Sequence, residues 1–564
     1  MQPHPLDIPE ILAVIGAFLP LWVDPTPCLN PKRPTDTGSL LFRPKILLSC
    51  LLVSKLWHKT LLPVLWYSYR SDSMDKVPDA VIGRYSHHFR ILSICQWSQW
   101  SYRCFDLSYF ECTKLVELDI YLDEGSDRSV EQDADTDVGE KHAGTGTFSE
   151  TSTRRRGGTG IGKEDESRIV APLPDAKRLL RTNPRLKCLS WTGPVRSTTA
   201  LDVEDLIGLP GLASLSLDRW DCSDGRLDMV LKVVAGSLKV LCVGSICGVE
   251  SGLSSAPLSP LLSATASLSP LPTTTTTSLQ LLQGKSCNGV DTRRSDTTYE
   301  WTLPRLERLV WSGGELDDEY LSELVKRCPK LKDVTFYVDH GGWDFDRLAA
   351  RLGGYCPNIE SLEVDPVIET HEAEALIRNC SPRRPQLRRL RIAVNGPNEL
   401  GLVSAILPHA STLENFEIYR TQDEMNGPLY LRLLVACSRL TRFAFFSKAA
   451  PFDADVLETL KQDSWGCRDT LRELRLDLGY FHKYRKQTRT EKLETVELLS
   501  KVGGWEEARI EEGDVNSNDD EYEIEPFDMT KLRQVLELVQ MQELKRLEVL
   551  SLDEVEFWRV RPIS

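Results

Sequence analysis

The sequence predicts an α/β chain in which a helical N-terminal module precedes a curved stack of strand and helix units. Three observations predict it: the Leu- and Trp-rich stretch CLLVSKLWHKTLLPVLW at residues 50 to 66, a short apolar window that recurs about every 26 residues, and helical periodicity between the copies.

The N-terminal module comes first. Pro5 to Pro20 reads PLDIPEILAVIGAFLP, where Pro9 and Glu10 suit a first helical turn and Ile11, Ile15 and Phe18 or Leu19 recur on one side. A Pro-rich link, residues 20 to 44, leads to a second expected helix opened by Leu48, Leu51, Leu52, Lys55 and Trp57. Two short helices cannot hide this much apolar surface. Burying one Leu or Ile is worth roughly 1.5 to 3 kcal/mol, so the surplus calls for the first repeat or a partner as cover.

The stack is read from the window L-x-x-L-x-hydrophobic. Copies start at Leu306, Leu331, Ile359, Leu387, Leu413, Leu440 and Leu471. Single windows are cheap: at 41% hydrophobic residues, about 39 would arise by chance in 564 positions. The phase is not cheap, because successive starts differ by 25, 28, 28, 26, 27 and 31 residues. Upstream, Leu186, Leu212 and Leu238 lie 26 apart, as do Phe89 and Leu115, and a last copy begins at Leu547. Between copies run amphipathic helices: Asp317 to Cys328 carries Leu321, Leu324, Val325 and Cys328 on one face, and equivalent stripes fall in Asp344 to Leu352, His371 to Cys380 and Leu429 to Cys437. Such a unit cannot bury its own apolar face, so the units must stack.

Three long gaps, 115 to 186, 238 to 306 and 471 to 547, interrupt the beat with polar or low-complexity sequence. Residues 121 to 168, the Ser, Pro and Thr tract at 251 to 278, and the acidic 506 to 525 cannot offset chain entropy by burial; they read as solvated insertions.

Totals narrow the function. A net charge of −15 and a pI near 5.3 oppose binding nucleic acid or an anionic membrane with the whole surface. Fifteen cysteines without a CxxC pair or a leader peptide point to reduced thiols in the cytoplasm or nucleus, and no apolar run is long enough to suggest a membrane span. Cys112, Cys328, Cys356 and Cys437 each stand three residues before a window, where a thiol packs as a small hydrophobe rather than as a metal ligand. Gly157 to Lys163 imitates a phosphate loop, but Glu164 replaces the magnesium-holding hydroxyl and no apolar strand precedes it. Arg154 to Arg156 beside it read as a weak nuclear address at most. His58, His87, His88, His371 and His409 sit in no catalytic motif, so no enzyme activity, metal or cofactor is expected.

Two resemblances follow from these residues. The order L-x-I-P-E-I-L, I, F-L, then L-L-x-V-S-K-x-W, L, L-W, over about residues 5 to 67, resembles the F-box, a helical module that docks on a Skp-type adaptor of a cullin ubiquitin ligase. That resemblance assigns Leu6, Pro9, Glu10, Ile11, Leu51, Val53, Ser54 and Trp57 to the adaptor-facing region, and Leu61, Leu65 and Trp66 to holding the module together or joining it to the repeats. The windows resemble leucine-rich repeats of the longer, cysteine-containing type, although that family's polar residue after the strand is nearly confined to Asn395. The implied architecture is an F-box over 1–70, an irregular leucine-rich-repeat horseshoe over 71–480 with disordered insertions at about 121–168 and 250–300, an acidic and polar insertion over 481–528, and a terminal repeat and cap over 529–564.

If the strands line the concave side, alternation exposes Arg308, Asp333, Tyr337, Glu363, Asp365, Arg389, Arg391, Glu417, Tyr419, Arg442, Phe446, Glu473, Arg475 and Asp477. Mixed charge interleaved with aromatics suits protein recognition, and Arg308, Tyr337, Glu363, Arg389, Arg391, Tyr419, Arg442 and Arg475 are the expected target-binding residues. The expected function is a substrate-recognition subunit of a Skp/cullin/F-box ubiquitin ligase, with a Skp-type adaptor, through it a cullin, and an unknown target protein as partners. A leucine-rich-repeat scaffold without a ligase link, its N-terminal helices serving as a solenoid cap, is the alternative; an enzyme built from residues distant in sequence is a third.

Overall fold

The computed structural model describes residues 8–19, 22–23, 41–42, 44–74, 76–96, 110–122, 174–193, 201, 203–221, 226–244, 246–247, 301–312, 318–337, 343–380, 386–397, 399–420, 427–447, 461, 464–476, 505–507, 529–542, 544, 546–552 and 555–559. Each apolar window becomes a strand that starts two residues after its anchor: Leu306 precedes Arg308–Trp311, Leu331 precedes Asp333–Phe336, and Leu387 precedes Arg389–Asn395. The anchors are fully buried, and so are the fourth and sixth window positions, such as Leu309 and Trp311. Period-two alternation thus drives one face of every strand into the core.

Among the described residues these strands join in one sheet of sixteen, fourteen of them parallel in sequence order from Ser68–Arg70 to Val549–Leu552. Pairing continues straight across the long gaps. Glu117–Leu122 pairs with Cys188–Thr192, Val240–Val243 with Arg308–Trp311, and Glu473–Leu476 with Val549–Leu552. The insertions expected at about 121–168 and 250–300 lie outside the described residues apart from 121–122, and of 481–528 only 505–507 is described. Within Ser361–Glu369 the register shifts once, between Val364 and Val367.

The stripes expected on the intervening segments form helices: Asp318–Lys326, Phe345–Tyr355, Thr370–Asn379 and Gly427–Ala436. Every stripe residue of the first three, Leu321 to Cys380, is buried, as are Leu433, Leu434 and Cys437 in the fourth. Asp344 caps the second helix by accepting from the Arg347 amide at 2.9 Å, and a reciprocal Glu369 and Glu372 box caps the third. Successive helices pack on each other along the outer side of the sheet. Strands sit about 4.8 Å apart and helices about 8–10 Å, so a layer of helices is wider than the sheet it covers and the stack bends with the open sheet face inside.

The cysteines close the helix ends. Cys328 Sγ donates to the Leu324 carbonyl at 3.2 Å, and Cys356 Sγ donates to the Cys328 carbonyl at 3.3 Å, linking one repeat to the next. Burial pushes the Cys112, Cys356 and Cys437 thiols up to about 12, which suits packing and weak donation rather than reactivity.

At the N-terminus stand three helices rather than the two expected: α1, Pro9–Phe18; α2, Lys45–Leu51; and α3, Lys55–Leu65. The run breaks at Leu52 and Val53 because Ser54 starts a new helix, its hydroxyl accepting from the Trp57 amide at 3.2 Å. Gly16 lets α1 approach α3 closely; a Cβ there would lie 2.6 Å from Leu61 Cδ2. Trp22–Val23 pairs antiparallel with Leu41–Phe42, so the long link is clamped near its two ends. Leu47, Leu51, Leu61, Leu65 and Trp66 share one core with Tyr69 and Phe89 of the sheet's first units, and Trp66 stacks on Tyr85 at 5.0 Å. The other end of the sheet closes differently: Val555–Arg559 runs antiparallel beside Val549–Leu552, and Trp505–Glu507 antiparallel beside that.

Across the gap between Val240–Val243 and Arg308–Trp311, buried Arg327 acts as a tie. It lies 4.1 Å from the Trp301 ring centroid and 3.5 Å from Asp228, which also accepts from the Tyr320 hydroxyl at 3.1 Å. Truncating one member strands a partly buried carboxylate. Arg327→Ala is therefore expected to destabilise the chain by about 2–3 kcal/mol, and Arg327→Lys to recover only part because an ammonium lacks the planar stacking face; denaturant titration reads both.

Candidate functional site

In-register pairing carries the open-face side chains into rows that cross the sheet. One row runs Arg308, Asp333, Ser361, Arg389, Asn415, Arg442 and Glu473; a second runs Val310, Thr335, Glu363, Arg391, Glu417, Ala444 and Arg475. Tyr419 stands opposite Phe446 in a third, and Tyr337 follows its strand at the same level.

Arg391 is the hub of these rows. It donates to Glu363 Oε1 at 2.6 Å, lies 3.6 Å from Asp365 and 3.5 Å from Glu417, and covers the Tyr419 ring 5.4 Å from its centroid. Arg442 then lies 3.3 Å from both Glu417 and Glu473, and Glu473 also holds Arg475. Tyr337 donates to Glu363 at 3.3 Å, Tyr419 donates to Glu417, and Arg389 reaches Asp333 at 3.6 Å. The Tyr419 and Phe446 rings stack with centroids 4.6 Å apart. A chain of alternating charge thus crosses from Glu363 to Arg475, with the Asp333 and Arg389 pair beside it.

Burial opposes the Arg391 charge, but Glu417, Tyr419, Glu363 and Asp365 outweigh it and lift its pKa above the ordinary arginine range. Burial first, and the Glu363 carboxylate next, raise the Tyr337 phenol from 10.0 to about 12. These half-buried pairs hold their geometry better than solvated surface pairs, and each arginine is already committed to a carboxylate. The surface is close to neutral, preformed and aromatic at one edge. Such a surface fits a protein face rather than a phosphate backbone.

Seven of the eight expected target-binding residues are half-buried or exposed on this face, and Arg475 is buried there beneath Glu473. Arg308 is exposed beyond the ladder's near end, and Asp477 lies outside the described residues.

A second surface lies on the helical module. Pro9, Glu10 and Ile11 are exposed in the first turn of α1, Val53 and Ser54 are exposed at the break, and Trp57 is half-buried; Leu6 lies outside the described residues. Leu51 differs from its expected adaptor-facing place: at 7% exposure it belongs to the core with Leu47, one turn earlier on α2. Its neighbours Leu52, 86% exposed, and Val53 face out, because the helix ends before them. Phe18, 84% exposed, Val14 and Ile46 extend the patch, and Val14 and Ile46 escaped the sequence reading. Val14 stands on the face of α1 opposite buried Leu12, and Ile46 about a quarter-turn from buried Leu47 on α2.

Three checks follow from the ladder. Arg391→Ala should cost about 2–3 kcal/mol, since it leaves three carboxylates facing one another, and adding Glu417→Gln should restore part of it. A raised phenol pKa means stability fully present below pH 10 that is lost as pH rises toward 12, so Tyr337→Phe should flatten the alkaline limb of the stability profile. Phenolate absorbance should show one residue ionising near 12 in the wild type and not in that variant.

No family model matches the chain, and no curated protein matches it. Among solved structures, a chain from the crystal structure of the Rad7 and Elc1 complex in yeast is similar to it at 12% identity with a TM-score of 0.31, covering 57% of this chain and 70% of that one. A likeness of that size carries no argument about what this chain binds.

Proposed function

We propose that the chain is a substrate-recognition subunit of a Skp/cullin/F-box type ubiquitin ligase, acting in the cytoplasm or nucleus. The helical module docks on a Skp-type adaptor and through it on a cullin. The open sheet face holds the target protein, and other subunits carry out ubiquitin transfer. The chain's own contribution is position rather than chemistry.

One observation supports this reading most. Of the seventeen exposed large hydrophobic residues among those described, eight fall between Ile11 and Val53: Ile11, Val14, Ile15, Phe18, Ile46, Leu48, Leu52 and Val53. A unit that buries Leu12, Leu47, Leu51 and Leu61 and still exposes eight apolar side chains has a face left for another molecule. Two of the eight, Ile11 and Val53, are residues that the F-box resemblance assigns to the adaptor-facing region.

The shared core of Leu65, Trp66, Tyr69 and Phe89 favours the scaffold reading on its own terms, since it makes the module a cap on the first strand. Co-purification with a Skp-type adaptor separates the two. Phe18→Asp with Leu52→Asp alters exposed positions only and should weaken capture by at least about a hundredfold, given roughly 1.5 kcal/mol or more per lost side chain. Unchanged capture, with thermal stability kept, would sink the ligase reading and leave the cap and scaffold reading standing.

A further inference from the structure

The two halves of the open face differ in what their corresponding positions carry. From Glu363 to Arg475 the second row holds mostly long charged side chains, whereas in the first units it holds Arg70, Ser93, Asp119, Ser190 and Ser216. Short side chains leave a recess. Its volume is about 360 Å³, and it spans the strands from Ser68–Arg70 to Ser214–Asp218, four strand gaps or roughly 19 Å.

Two carboxylates and one arginine line the recess, and the arginine is engaged at its outer edge. Glu117 and Asp119 stand on its central strand; Ser93 Oγ donates to Asp119 Oδ2 at 3.0 Å and fixes that carboxylate. Glu117 has no ion pair or side-chain hydrogen bond among the described residues. Ser190, Ser214 and Ser216 likewise hold their hydroxyls without a protein partner among the described residues. Arg70, at the outer strand, is engaged by Asp72 at 3.3 Å. This contrasts with the ladder, where every carboxylate from Glu363 to Glu473 has an arginine against it.

We propose that this recess is a second contact site for the target on the same face, and that it takes a Lys or Arg side chain from an extended segment of the target. The inference rests on reading the open sheet face as the target-binding face. An acidic or apolar side chain would leave two carboxylates desolvated without compensation, while a cation meets them and its aliphatic stem lies over the shallow floor. The serine hydroxyls supply donors and acceptors for the peptide backbone beside it. Five strands' width accommodates about six extended residues.

The test uses the full chain and a fluorescein-labelled Gly-Ser-Lys-Ser-Gly repeat peptide, with Glu replacing Lys in the control, read by fluorescence anisotropy. The Lys peptide should bind, the Glu peptide should not, and added salt should weaken the complex. Glu117→Gln with Asp119→Asn preserves shape and should weaken binding by at least about tenfold. Cys188, which lines the recess, should be alkylated more slowly in the presence of the Lys peptide. Three results would each overturn the proposal: no binding of the Lys peptide, equal binding of the Glu peptide, or affinity of the double variant within about twofold of the wild type. Adaptor capture by the wild-type chain distinguishes the failures: capture present while the Lys peptide fails to bind removes only the ligand class of the recess, and peptide binding present while capture is absent removes only the ligase link.

Discussion

The whole array depends on burial of one side chain per unit, the anchor two residues ahead of each strand. Leu306, Leu331, Ile359 and Leu387 are each fully buried in the one core that the stacked units share. Burial of that kind fixes strand register as a by-product, since sliding by one residue would turn the whole apolar set outward. Parallel pairing then follows from the helix that returns the chain to the same end of the sheet.

Because register is fixed, the open face inherits the sequence row by row. Arg391 meets Glu363 and Glu417 only because three strands keep the same phase, and Arg442 meets Glu417 and Glu473 for the same reason. The direct pairing across the three long gaps means that the inserted segments leave this arithmetic untouched. A rigid scaffold with a preformed polar surface pays its ordering entropy at folding rather than at binding.

Much of this was legible in the residues. The anchors, the strand positions, the helix stripes from Leu321 to Cys437 and the row from Arg308 to Arg475 all follow from two periods, 2.0 and 3.6. What escaped was set by local capping and by contacts between units. The hydroxyl of Ser54 starts a new helix with its own phase, while Leu51, the last residue of α2, keeps the inward face of Leu47 four residues before it. Tyr69 enters the sheet in a strand that no apolar window announced, packed against Phe89 and Phe110. The antiparallel strands at Trp505–Glu507 and Val555–Arg559 follow no window at all, since they face no further repeat. The small residues at Ser93, Ser190 and Ser216 were visible at the same window positions as Arg391; their effect emerges only when the neighbouring strands are seen to be small as well.

The reversed strand at Val555–Arg559 changes how the far end of the sheet is hydrogen-bonded. A parallel solenoid normally ends in a bare row of amides and carbonyls on which another unit, or another molecule, can build. Here that row is occupied by a strand of opposite direction, and Trp505–Glu507, antiparallel to it in turn, runs again in the direction of the array and forms the sheet's edge among the described residues. The double reversal therefore gives this end of the sheet two antiparallel ladders in place of parallel ones, with hydrogen bonds perpendicular to the strands and a last strand that keeps the array's own polarity.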